Sequence, residues 1–184
     1  MGKKNNKVID IFGATNSLKV LSYLAQDPSK EFLVSEIQKA TLASRAGVYF
    51  ALKELMSQGL VSQERRGKVI FYRIVYDDAA IKQFKILKNV FSSRPIVVKL
   101  KPFSRKIVLY GSYSRGENDS TSDIDLFILS KDPETTKDAI SSIKTKQKIQ
   151  AVIKTASELA NFKESEKVFM QEVERGIVLW EEKE

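Results

Sequence analysis

Neither cysteine nor histidine occurs anywhere in the 184 residues. The first absence excludes disulfides, and the two together exclude thiolate and imidazole metal sites. Ser-His-Asp and Cys-His catalysis fall with them. Any metal must be held by oxygen ligands, which suits hard cations such as Mg²⁺, and acid–base work is left to Asp, Glu, Lys or Tyr. Long apolar runs are also missing: none approaches the ~18 residues that span a bilayer. The basic start, Met1-Gly2-Lys3-Lys4-Asn5-Asn6-Lys7, lacks a following signal-peptide core and cleavage site and is expected to be a frayed, solvated tail. Polar low-complexity tracts are absent too. What is there, 42% hydrophobic and 29% charged residues, leads us to expect a soluble, cytoplasmic globular protein. The length allows one ordinary domain or two small ones.

The formal net charge is +8 and is unevenly spread. Residues 1–75 hold twelve Lys and Arg against six Asp and Glu, whereas residues 76–184 hold nineteen against seventeen. A basic excess confined to the N-terminal part points either to a polyanionic partner there or simply to solubility.

The first half reads helix, helix, helix, hairpin. Asn16 or Ser17 caps a helix bearing Leu18, Val20, Leu21 and Leu24. Asp27-Pro28 breaks the chain, Phe32-Leu33-Val34 is a short apolar stretch, and Ser35 precedes a short helix with Ile37 and Ala40. Ser44 opens a longer helix whose buried side carries Val48, Leu52, Leu55 and Met56, and Gly59 ends it. A strand starts at Leu60-Val61, Arg66-Gly67-Lys68 turns, and Val69 to Ile74 alternates as the returning strand.

This order resembles a winged helix-turn-helix domain over residues 1–76, with Lys53 to Val61 similar to the passage from recognition helix into wing. The resemblance implies that residues 44–58 enter a major groove of double-stranded DNA while the wing touches backbone. Arg45, Tyr49 and Lys53 on the helix, with Arg65, Arg66 and Lys68 in the wing, are then the DNA-contact candidates. Winged helices also serve dimerisation and protein binding, so a protein interface stands as the other reading. Such regulators are often dimers, which makes a homodimer the expected assembly.

Residues 77–104 read as a linking helix, capped by Asp77 or Asp78, carrying Ile81, Phe84, Leu87 and Phe91, and ended by Ser92-Ser93-Arg94-Pro95. Residues 105–184 alternate strand and helix. Lys106 to Tyr110, Ile124 to Leu129 and Ile149 to Ile153 read as strands. Glu134 to Lys146 and Ser165 to Glu174 read as helices, the latter with Val168, Phe169 and Val173 on one face, and Ile177 to Trp180 is a short apolar end piece. The expected class is α+β: a winged helix-turn-helix, then a small mixed sheet flanked by helices.

The chemistry concentrates between Leu109 and Leu126. A strand ends in Gly111-Ser112, where glycine lets backbone approach a ligand closely. Amides at a following helix start can bind phosphate oxygens, Ser112 adds a hydroxyl, and Arg115 adds a cationic fork suited to phosphate. In Asp123-Ile124-Asp125, alternation on a strand projects both carboxylates together and sends Ile124 and Leu126 into the core. Two such carboxylates repel and are best tolerated at an exposed end or around a divalent cation, and a cation held there would bridge a nucleoside triphosphate.

Gly-Ser, a spacer of about ten residues, then Asp-hydrophobic-Asp resembles the signature of the polymerase-beta-like nucleotidyltransferase superfamily. The version here, Gly-Ser-x-x-Arg-Gly followed by Ser-Asp-Ile-Asp-Leu, looks most like the minimal nucleotidyltransferases. The resemblance implies triphosphate binding by Gly111 and Ser112, with Arg115 as an auxiliary phosphate contact. It implies that Asp123 and Asp125 are the catalytic metal ligands, for Mg²⁺ or Mn²⁺. It also implies an antitoxin role beside a helical HEPN-type partner protein. One departure stands out. Active members use a third carboxylate on a later strand, and the matching position here falls at Gln150 or within one or two residues of it, none of them acidic. An amide is a weak ligand and no base, and Glu158, after the strand, is the acid that could substitute from a loop. Two readings result. The chain is a DNA-binding regulator with a nucleotide-binding domain, or it is an enzyme transferring a nucleoside monophosphate to a hydroxyl acceptor.

Overall fold

A computed structural model describes residues 11–183; the N-terminal tail expected to fray lies outside the described residues. The chain divides into two compact units, Met1–Ile81 and Lys82–Glu184. No helix among the described residues is long and apolar enough to cross a membrane.

The first unit has three helices and a hairpin. Helix α1 spans Asn16–Leu24, α2 Val34–Thr41 and α3 Arg45–Ser57. Strands β1 (Val61–Arg66) and β2 (Val69–Ile74) pair antiparallel. The first cap is Thr15, whose hydroxyl accepts from the Leu18 amide at 3.2 Å, and not Asn16 or Ser17: a cap keeps extended backbone, and both of those residues are already helical. Helix α2 likewise starts before Ser35, because Glu36 reaches back to the Leu33 amide at 2.8 Å. Ser44 does cap α3, accepting from the Gly47 amide at 3.1 Å. Val20, Leu24, Ile37, Val48, Leu52 and Leu55 are buried with Val61, Tyr72 and Ile74. Phe32 adds a bridge to Tyr72, with reciprocal amide-carbonyl bonds of 2.8 and 2.9 Å. Three helices closed by a two-stranded wing make this unit a winged helix-turn-helix.

The second unit is a four-stranded sheet in the order β5-β4-β3-β6. Helix α4 (Ala79–Leu100) leads into β3 (Ser104–Tyr110), the short α5 (Gly111–Arg115) and β4 (Ile124–Ser130). Then come α6 (Pro133–Ser141), β5 (Ile149–Lys154), α7 (Ala156–Ser165), α8 (Lys167–Glu174) and β6 (Ile177–Glu181). Strand β3 is antiparallel to both β4 and β6, while β4 and β5 run parallel, as the α6 crossover between them requires.

Alternation along the strands builds two cores. Ile107, Leu109, Ile124, Leu126 and Ile128 face Ile96 and Leu100 of α4 and Ala139 of α6. Val108 and Phe127 face Met170 and Val173 of α8 on the other side.

Several expected boundaries shift. Helix α4 does not end at Ser92-Pro95 but runs through the proline to Leu100. Burial of Ile96 and Leu100 outweighs the lost helical bond, and the Ser92 and Ser93 hydroxyls donate to the Asn89 carbonyl at 2.9 and 2.8 Å. Helix α6 stops at Ser141 rather than near Lys146. Helix α7 was not expected at all; its Thr155–Glu158 capping box is its clearest local sign. A break at Glu166 resets the phase of α8, so Val168 points to solvent, 83% exposed, while Phe169, Met170 and Val173 turn inward. The apolar end piece is β6, paired with β3.

Candidate functional site

In the second unit the candidate residues meet at one end of the sheet. Strand β3 ends at Tyr110, and Gly111 turns the chain into α5 with φ +67°, a left-handed backbone that disfavours any side chain. The space is also taken: a Cβ on Gly111 would lie 2.4 Å from Asp125 Oδ2. Glycine here lets the chain reversal sit directly against the carboxylate.

Asp125 lies on central strand β4, opposite Tyr110 on β3 and Gln150 on β5. It shares the α8-facing side of the sheet with Asp123, just before the strand, while Ile124 and Leu126 are buried on the other side. Burial, then the neighbouring Asp123 charge, pushes the Asp125 carboxyl above its ordinary range; Arg115 opposes this. Tyr110 is raised as well, by burial first and then by Asp125. Its ring meets Phe169 of α8 edge-on at 5.4 Å.

Gln150 Nε2 donates a hydrogen bond to Asp123 Oδ2. On β5, beside Asp125, the amide thus faces the carboxylate pair where the family resemblance leads one to expect a third acid. Glu158 is elsewhere employed, accepting from the Thr155 amide at 2.7 Å in the capping box that opens α7, and that bond is the first cause of its lowered pKa. Among the described residues no group of three or more acidic side chains is arranged to hold a metal. Two carboxylates are enough for a cation that arrives with phosphate oxygens and keeps its waters. They are too few for a second cation of its own.

Arg115 is committed within the protein: Nε donates to Glu117 Oε2 at 2.8 Å, and Nη1 pairs with Glu172 of α8. Its raised pKa follows from the Glu117 hydrogen bond first. A phosphate contact by Arg115 would have to compete with two carboxylates.

Sequence reasoning missed the residues that hold the loop between α5 and β4. Lys85 and Asn89, buried on α4, donate to the Asn118 backbone carbonyl and to Asn118 Oδ1 (2.8 Å), and Asn89 also donates to the Tyr113 carbonyl at 2.9 Å. Asp119 Oδ1 then accepts from the amides of Thr121 and Ser122 at 2.8 and 3.0 Å, and these bonds, led by the Thr121 hydroxyl, depress its pKa. The Asp-x-Thr-Ser spacing signalled that turn; nothing in the sequence tied α4 to it.

In the first unit, Arg45, Tyr49 and Lys53 all stand exposed on α3. The wing candidates divide. Register places Arg65 opposite Ile70 and Arg66 opposite Val69, so the two arginines leave the ribbon on opposite faces. Arg66 is held by Glu31 through two bonds of 2.8 Å and by Glu64 at 2.7 Å, and it stacks on Phe71 at 4.9 Å. Arg65 and Lys68 are exposed at the hairpin end.

Residues 96–184 match the family model described as polymerase beta, nucleotidyltransferase. No curated protein matches. Among solved structures, the chain is similar to the homodimeric winged helix-turn-helix DNA-binding domain of a Mycobacterium bovis protein. That similarity has 28% identity and a TM-score of 0.36, covering 45% of this chain and 72% of the other.

Proposed function

We propose, for a chain whose residues 96–184 form a polymerase-beta-type nucleotidyltransferase domain behind a winged helix-turn-helix, that it is a cytoplasmic, homodimeric DNA-binding regulator whose second domain binds a nucleoside triphosphate with Mg²⁺ or Mn²⁺. The observation that carries the nucleotide part is the pair Asp123 and Asp125 against the Gly111 turn, with Gln150 bonded to Asp123. Asp125 is penalised by burial and by Asp123, and a divalent cation accompanying a triphosphate relieves both costs. When bound, the cation neutralises phosphate charge. Gly111 admits the phosphates close to the backbone, and Ser112 offers its hydroxyl to them. Gln150 cannot accept a proton from an attacking hydroxyl, which favours binding over transfer.

Calorimetric titration of ATP and GTP, with and without Mg²⁺, tests this reading, with pyrophosphate release followed in the same samples. Metal-dependent binding that disappears in Asp123→Ala and Asp125→Ala is the expected result. Equal affinity in wild type and both variants would remove the site. The alternative is an active nucleotidyltransferase whose winged helix serves targeting or dimerisation, with a HEPN-type protein as acceptor. The intact Gly-Ser and Asp-Ile-Asp residues favour it, and pyrophosphate release would select it.

The DNA part rests on the basic charge of the first unit and on exposed Arg45, Tyr49, Lys53, Arg65 and Lys68. Arg66 enters as a contact only by exchanging Glu31 and Glu64 for phosphate.

A further inference from the structure

The face of α3 that its core leaves open is unusual for a surface. Tyr49 is 61% exposed and Phe50 66%, with their rings edge to face at 5.7 Å. Ala46 is exposed one turn earlier. Leu42, at the turn between α2 and α3, is 90% exposed and holds φ 55°. A turn of this kind is an ordinary place for glycine, and a leucine there accepts backbone strain only to stand in solvent. Arg45 and Lys53 flank the patch with positive charge. The first three turns of α3 carry no Asn, Gln, Asp or Glu until Glu54.

We infer that this face reads DNA mainly through the 5-methyl groups of thymine in the major groove, with Ala46, Tyr49 and Phe50 as the apolar contacts. The inference rests on the DNA-binding reading given above. Base edges are distinguished either by hydrogen-bond forks or by apolar contact with the thymine methyl. On α3 the amide forks that would read adenine are absent. The Ser44 hydroxyl already caps the helix. Arg45 is the one guanidinium on this face, suited to a guanine. The flanking cations fit a polyanion and would repel a basic partner. Sequence discrimination therefore falls to methyl groups, with Leu42 extending the apolar row at the N-terminal side.

The test uses the full chain. Duplexes are enriched from a random pool by binding, and the enriched duplex is remade with deoxyuridine for thymine, one half-site position at a time. Affinity is then measured by fluorescence anisotropy at fixed salt. Each contacted thymine should lose about fourfold in affinity, the factor for burying one CH₂-sized group. Phe50→Ala, exposed and expected to melt as the wild type does, should abolish the thymine–deoxyuridine difference at its position while leaving the salt dependence unchanged. Salt-dependent binding with equal affinity for both duplexes would overturn this inference and leave DNA binding standing. No binding to any pool at low salt would bring down the DNA reading itself. A change in association state in Phe50→Ala, with thymine discrimination intact, would assign the patch to a second copy of the chain and overturn the inference as well.

Discussion

Burial and the neighbouring Asp123 charge both penalise the ionised form of Asp125, so the residue proposed to bind the cation should also weaken the unliganded protein. Asp125→Asn is expected to raise the melting temperature at neutral pH while abolishing Mg²⁺-dependent nucleotide binding. The sign follows from linkage: a carboxyl whose folded pKa is raised costs stability above that pKa, and the cost fades as pH falls through it toward the unfolded value. The advantage of the variant should shrink along the same path, which calorimetric melts from neutral to acidic pH would reveal. Gly111→Ala should destabilise the unit by about 1–2 kcal/mol from backbone strain alone, and more because its Cβ meets Asp125; denaturant titration reads the loss. At this scale the sequence was informative where chemistry and spacing are local. Gly111, Ser112, Asp123, Asp125 and Gln150 all lie at one end of one sheet; alternation implied this only for Asp123 and Asp125. Partners distant in sequence were not legible: Glu172 for Arg115, Glu31 for Arg66.

Among elements, α4 departs most from its sequence reading, and it matters most to the site. Proline and two serines read as a stop, yet burial of Ile96 and Leu100 carries the helix on. That outcome depends on a sheet formed by residues the local window does not contain. Its polar buried residues have a second role in fixing the loop that precedes Asp123. Asn89→Ala would leave buried partners on Asn118 and Tyr113 unsatisfied, at about 1–3 kcal/mol. Nucleotide affinity should fall with stability, since the loop is anchored by those bonds; urea denaturation and calorimetric titration together check both. Helix α7 was missed because its apolar residues are few and only half-buried, so no strong period marks it. Strand β6 read merely as an apolar end because an edge strand is defined by the neighbour it pairs with.

For the whole molecule, the boundary of independent folding should lie before α4 rather than after it. Ile96 and Leu100 belong to the core cluster of β3 and β4, so a fragment of residues 77–184 is expected to fold and bind nucleotide. A fragment of residues 105–184 is expected to expose that core and aggregate. Circular dichroism melts of the two would decide. For the first unit, replacing Arg65 and Lys68 with alanine should weaken DNA binding without changing sequence preference, lowering the salt slope by about 1 for each phosphate contact removed. An unchanged slope would take the wing out of the interface. The sequence marks the first unit by its charge and its helix-hairpin order, and the second by the motif that begins at Gly111.

The register of β5 fixes where residue 150 is delivered, whatever that residue is. Glutamine and glutamate codons differ by one first-position base, so the carboxylate missing beside Asp123 is a single nucleotide substitution away. A fold that already presents the position needs no rearrangement to receive it. On the proposed reading, the step from binding a nucleotide to transferring it is then one base of one codon.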